Sequence, residues 1–76
     1  MTKLRKTSGK DCVTILCKHF GFSMMRQKGS HIILQKKTSS GTIATVVPNH
    51  AELKIGTLKG VLKLAKVPEE EFAEVQ

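Results

Sequence analysis

Two segments carry apolar residues at helical spacing, and a β-branched region separates them. Val13, Leu16, Cys17 and Phe20 fall at i, i+3, i+4 and i+7, which predicts a helix with one apolar stripe. Ser8 suits its N-cap, with Asp11 three residues on, and Gly21 suits its C-terminal stop. Lys10 and Lys18 fall on the solvent side. Leu58, Val61, Leu62 and Ala65 repeat the same spacing and predict a second helix, capped by Thr57. Between the two, Phe22 to Lys28 lacks strict alternation but must be extended if Gly29 turns a hairpin. His31 to Lys37 then follows as a strand whose one face holds Ile32 and Leu34 while His31 looks the other way. Thr38-Ser39-Ser40-Gly41 reads as a turn. Thr42 to Val47 reads as a third strand, stopped by Pro48, and Asn49 to Gly56 as a loop. Pro68 opens a last short helix in which Glu69, Glu70 and Glu71 complement the dipole and Phe72 is the apolar anchor.

This order defines an α+β fold, αβββα with a short C-terminal helix. Both long helices are expected on one face of a three-stranded antiparallel meander, with the other face left open. At 76 residues the chain is expected to form a single domain, 1–76. A chain of this size buries only about 60% of its unfolded surface, which leaves no room for a separate cofactor domain. No stretch approaches the length of a membrane span, and the basic N-terminal run from Met1 to Lys6 lacks the apolar segment of a secretory signal. A cytoplasmic location is the expectation.

Charge changes the picture more than composition does. The formal net charge is +7, and residues 1–37 hold nine Lys/Arg against the single Asp11. Residues 38–76 hold four lysines against five glutamates. This asymmetry points to a polyanion approached by the N-terminal half. Cys12 and Cys17, five apart on a helix, lie on different faces, which disfavours a disulfide, and with His19 they match no zinc pattern. Both read as small apolar core residues, and no metal or other cofactor is expected.

The candidate chemistry lies in Arg26-Gln27-Lys28-Gly29-Ser30-His31. Gly29 accepts the positive φ of a tight turn, and His31 stands at the mouth of the next strand. Imidazole ordinarily titrates near neutrality and suits proton transfer. The two cations lie within reach of a bound phosphate, Arg26 being the better bidentate donor. His50, in Pro48-Asn49-His50, is either a turn residue or a second acid/base, and His19 reads as a surface residue near a helix end.

In this order, Gly21-Phe22, Arg26 to His31, Val47-Pro48-Asn49-His50, Gly56-Thr57-Leu58 and Glu70-Glu71-Phe72 resemble the HicA family of mRNA interferase toxins. The resemblance runs from Ser8-Gly9-Lys10 to Phe72. It implies a fold like the double-stranded-RNA-binding domain, and a type II toxin that cleaves mRNA and is neutralised by a HicB-type antitoxin covering the His31 hairpin. The family's Gly-Ser-His histidine maps onto His31. Val67-Pro68 departs from the small polar cap with which the family enters its third helix. Lys10, Arg26, Lys28, Ser30, Lys36 and Lys37 are the candidate RNA contacts, and no metal ligand is assigned. Two other classes fit the same residues. One is a non-catalytic RNA-binding module of the same fold, and the other a module whose basic face binds an acidic protein. Loss of RNA cleavage on replacing His31 separates the first, and a steep salt dependence of RNA binding the second.

Overall fold

The three strands form a meander whose middle member carries both pairings. A computed structural model describes residues 3–76, so Met1 and Thr2 of the basic N-terminal run lie outside it. The elements are α1 (Gly9–His19), β1 (Ser23–Lys28), β2 (His31–Thr38), β3 (Gly41–Pro48), α2 (Ile55–Ala65) and α3 (Glu69–Glu74). The sheet is antiparallel in the order β1-β2-β3. α2 packs chiefly on β3, while α1 touches β3 and β1. The helices therefore cover one sheet face, as the hydrophobic pattern predicts.

Helix α1 starts where Ser8 accepts a hydrogen bond from the Asp11 backbone N–H at 3.0 Å. It ends at Phe20, after which Gly21 takes φ 76°. The buried residues are Gly9, Cys12 and Leu16, whereas Val13, Cys17 and Phe20 are only partly covered. The predicted stripe is thus centred one residue too far along. The helix meets the sheet through Cys12 and Leu16 and meets α3 through Phe20, whose ring stacks on Phe72 at 6.3 Å. Both cysteines are free. Burial pushes the Cys12 thiol up to about 12. Cys17 is also raised by burial, with the Met24 backbone N–H opposing.

Strand β1 shows no alternation because it carries a bulge between Met24 and Arg26. An extra residue shifts the phase of every side chain after it. β1 is also an exposed edge strand throughout. β2 alternates cleanly, with Ile32 and Leu34 buried. On β3, Val47 and Thr45 face inward, and the Thr45 hydroxyl donates to the Val61 carbonyl at 2.8 Å, tying β3 to α2.

Helix α2 begins three residues earlier than predicted. Its N-cap is Lys54, extended at φ −67° and ψ 149°, and Thr57 lies inside the first turn rather than capping it. The cause lies upstream. Leu53, placed by its sequence in a loop, is buried at 1% exposure and bridges to Thr7, its N–H donating to the Thr7 carbonyl at 2.8 Å. This fixes the chain direction before Lys54. Leu58, Val61, Leu62 and Ala65 are then all buried, as their spacing requires. Lys66 closes α2 in the left-handed conformation, φ 56°. Pro68 is the N-cap of α3, one residue before its first turn, and Phe72 is fully buried. No helix among the described residues is long and apolar enough to cross a membrane.

Candidate functional site

The β1–β2 hairpin turns on two residues, because Lys28 pairs with His31. Gly29 has φ 59°, and nothing lies within 4 Å of where its Cβ would be. Ser30 is not among the residues of positive φ. Glycine first in a two-residue loop is the pattern of a type II′ turn, whose twist matches the strands it joins. The Gln27 side chain braces the turn by donating to the Gly29 carbonyl at 3.0 Å.

Cross-strand partners share a sheet face, so the register places the candidate residues. Lys28, His31 and Pro48 form the first row of the face the helices leave uncovered. Arg26, Ile33 and Val46 form the next, followed by Ser23, Gln35 and Ala44, and then by Lys37 with Thr42. Rows are spaced by about 7 Å, two residues of strand. His31 is therefore exposed on the open face, facing away from Ile32 and Leu34 as expected. The three strands hold four cations and no carboxylate.

A second chain segment reaches this end of the sheet. The Asn49 backbone N–H donates to the Ser30 carbonyl at 2.5 Å, and the Gly9 N–H donates to the His50 carbonyl at 2.9 Å. Gly9 is buried so closely on Pro48 that a Cβ there would overlap the Pro48 carbonyl oxygen. The turn before His31, the end of β3 and the start of α1 are thereby locked together. Lys10, the second residue of α1, comes to the same end of the molecule as His31.

The six candidate RNA contacts thus separate. Arg26, Lys28 and Lys37 share the face of His31, and Ser30 and Lys10 approach its edge. Lys36 is on the opposite face, its ammonium 5.8 Å from the centre of the Phe22 ring. His19 is exposed at the end of α1, and His50 is exposed in the loop after β3. Among the described residues, the one ion pair joins Lys6 to Glu52 at 3.1 Å and leaves the cations of the open face unpaired. No cluster of three or more His, Cys, Asp or Glu side chains suited to a metal ion occurs among them. The contribution of the Pro48–His50 segment was legible only as a motif. Its backbone bonds to Ser30 and Gly9 join residues far apart in sequence.

A small basic α+β domain with a histidine-bearing hairpin on an open, cationic sheet face is the class these features define. Residues 9–67 match the family model described as the HicA toxin of bacterial toxin–antitoxin. That match spans well over half of the chain, which belongs to the HicA toxin family. No curated protein and no solved structure matches the chain.

Proposed function

We propose that this toxin is an endoribonuclease that cleaves mRNA, using His31 as its catalytic residue and the cations of the open sheet face to hold the phosphate. The observation that carries the reading is the position of His31. It is exposed on the uncovered face, paired across the hairpin with Lys28 and one row from Arg26. Cα atoms paired across strands are about 5 Å apart, so the Lys28 ammonium and the imidazole can reach one phosphodiester.

The chemistry follows from those groups. The imidazole of His31 takes the proton from a ribose 2′-OH as the 2′-oxygen attacks the adjacent phosphorus. The bond from phosphorus to the 5′-oxygen breaks, and that oxygen takes up a proton. The products are a 2′,3′-cyclic phosphate and a 5′-hydroxyl end. Arg26 and Lys28 offset the negative charge that grows on the phosphate, where hydrogen bonds from ionised donors are strongest. A positioned acid or base accounts for about 10²–10⁴ in rate. Lys37 along the same face, and Lys10 with Ser30 at its edge, extend the track of the RNA backbone. Lys36 adds to the positive field from the other side. Growth arrest follows from loss of mRNA, and a HicB-type antitoxin restores growth by covering the His31 hairpin.

The test is to incubate the purified protein with a defined RNA in the presence of a chelator and to analyse the ends. Cleavage with cyclic phosphate termini is expected. Binding without cleavage would leave an RNA-binding module, and cleavage only on adding metal would overturn the side-chain mechanism.

A further inference from the structure

The sheet has two edges, and only one is defended. A free edge offers unpaired N–H and C=O groups to another chain, and proteins blunt such edges with cations, bulges and proline. β1 carries the bulge after Met24 and the charges of Arg26 and Lys28. β3 has none of these before its last residue, Pro48. From Gly41 to Val47 it is uncharged and pairs with β2 without a break in register. Ladder hydrogen bonds in an antiparallel pair alternate along each strand. Pro48 lacks an N–H, and the Asn49 N–H just beyond it donates to Ser30. The odd-numbered residues of β3 therefore bond to β2, while Thr42, Ala44 and Val46 aim their N–H and C=O groups outward. Among the described residues no fourth strand meets them, and all three are exposed.

Helix α2 continues the same uncharged strip. Its Val61 carbonyl takes the Thr45 hydroxyl, which marks the flank toward β3. Leu64, three residues on, shares that flank and is 59% exposed. Lys59 and Lys63 turn the other way and line a groove with Pro68 and Glu69.

We infer that β3 pairs with β3 of a second copy of this chain, antiparallel about a two-fold axis at Ala44, to make one continuous six-stranded sheet. In this register Ala44 faces its own counterpart and Thr42 faces Val46 of the second copy. Every outward N–H and C=O of the three residues is then matched, whereas a shift of two residues puts Pro48 or the Ser39-Ser40 turn opposite one of them. The axis runs perpendicular to the sheet. Both α2 helices therefore lie on one face, with Leu64 of each copy at the seam, and both His31 faces lie on the other. Charge decides the occupant. An acidic strand finds no cation along this edge. The net charge of +7 opposes self-association only weakly, because the sheet cations sit on β1 and β2. At about 4.8 Å per strand the two β2 strands are about 14 Å apart and the two β1 strands about 24 Å, beyond the Debye length of about 10 Å in 0.1 M salt. The pairing stands on strand geometry and does not depend on the ribonuclease reading.

The experiment follows the protein by sedimentation velocity over a concentration series, with disulfide trapping to read the register. The parent should pass reversibly from monomer to dimer at about 10–100 μM, as suits a small interface, and added salt should leave the dimer intact or tighten it. Ala44→Glu sets two carboxylates opposite one another across the axis and should weaken the dimer at least about tenfold. Its Tm should stay near the parent's, because Ala44 is exposed. Leu64→Ser should also weaken it at least about tenfold, and makes the comparison if Ala44→Glu does not fold. Residues in a hydrogen-bonded pair have Cα atoms about 5.5 Å apart, within disulfide reach. Ala44→Cys should thus cross-link to itself on oxidation. Thr42→Cys should do so no more than the parent, since the two copies of Thr42 lie about 13 Å apart along the strands. A parent that stays monomeric throughout, or grows into open-ended assemblies, would overturn the proposal. So would a dimer that salt disperses, one that survives both Ala44→Glu and Leu64→Ser, or equal cross-linking by the two cysteine variants.

Discussion

Replacing Gly9 with alanine tests the junction that holds the hairpin. The added Cβ would overlap the Pro48 carbonyl oxygen and lie 3.0 Å from the Pro48 carbonyl carbon and 3.1 Å from the Asn49 Cα. All three are backbone atoms, so relief requires α1 to move away from the end of β3. Overpacking of this kind costs about 1–3 kcal/mol. Moving apart also strains the Gly9–His50 hydrogen bond, worth about 0.5–1.5 kcal/mol. Against this, alanine is the better helix former by about 0.5–1 kcal/mol. The net effect is a destabilisation of about 1–3 kcal/mol, or a fall in Tm of roughly 5–20 °C for a domain of this size. Gly60 is the internal control, because it lies in α2 with nothing within 4 Å of its Cβ position. Gly60→Ala should raise Tm by up to about 8 °C. Thermal melts of both variants against the parent make the measurement. A Gly9→Ala protein that melts at or above the parent temperature would refute the close packing of α1 on Pro48.

Other outcomes follow from the same structure. Lys66→Gly should stabilise the chain by about 1 kcal/mol, because Lys66 is held at φ 56°, where a Cβ is unfavourable; an unchanged denaturant midpoint would count against this. Burial raises the Cys12 thiol from 9.0 to about 12, so the folded chain keeps the proton after the unfolded chain has lost it. Its contribution to stability is whole below about pH 9 and is lost as pH rises toward about 12. The stability difference between parent and Cys12→Ala should therefore shrink over that window, and a constant difference would contradict the buried thiol. RNA affinity should fall steeply with salt, and Lys28→Ala should reduce the slope of log affinity against log salt by about 0.7–0.9. A parent slope near zero would remove the phosphate contacts.

Element order and the sheet face of His31 were legible because periodicity survives wherever one face of an element is buried. The Leu58–Ala65 stripe and the alternation of Ile32 and Leu34 are buried as read. Local signals failed where a distant contact decided the outcome. Thr57 has a capping side chain, yet the bridge between Leu53 and Thr7 starts α2 earlier. Alternation in β1 was hidden by the bulge after Met24. In α1 the stripe was misplaced because Phe20 serves Phe72 rather than the sheet. The candidate site followed the same rule. The Gly29-Ser30-His31 turn was readable as a local signal. The placement of Lys36 on the opposite face, and the clamp of Asn49 on Ser30, depend on register and tertiary contact.

The central claim is that the exposed imidazole of His31 performs the chemistry while the surrounding cations bind the RNA. Its most direct test compares folded His31→Ala with the parent on one RNA, with chelator present, measuring cleavage rate and affinity together. Cleavage should fall by at least about 10²-fold, while affinity and Tm stay close to the parent, since His31 is exposed and the basic face is intact. Equal cleavage by the two proteins would remove His31 from the mechanism.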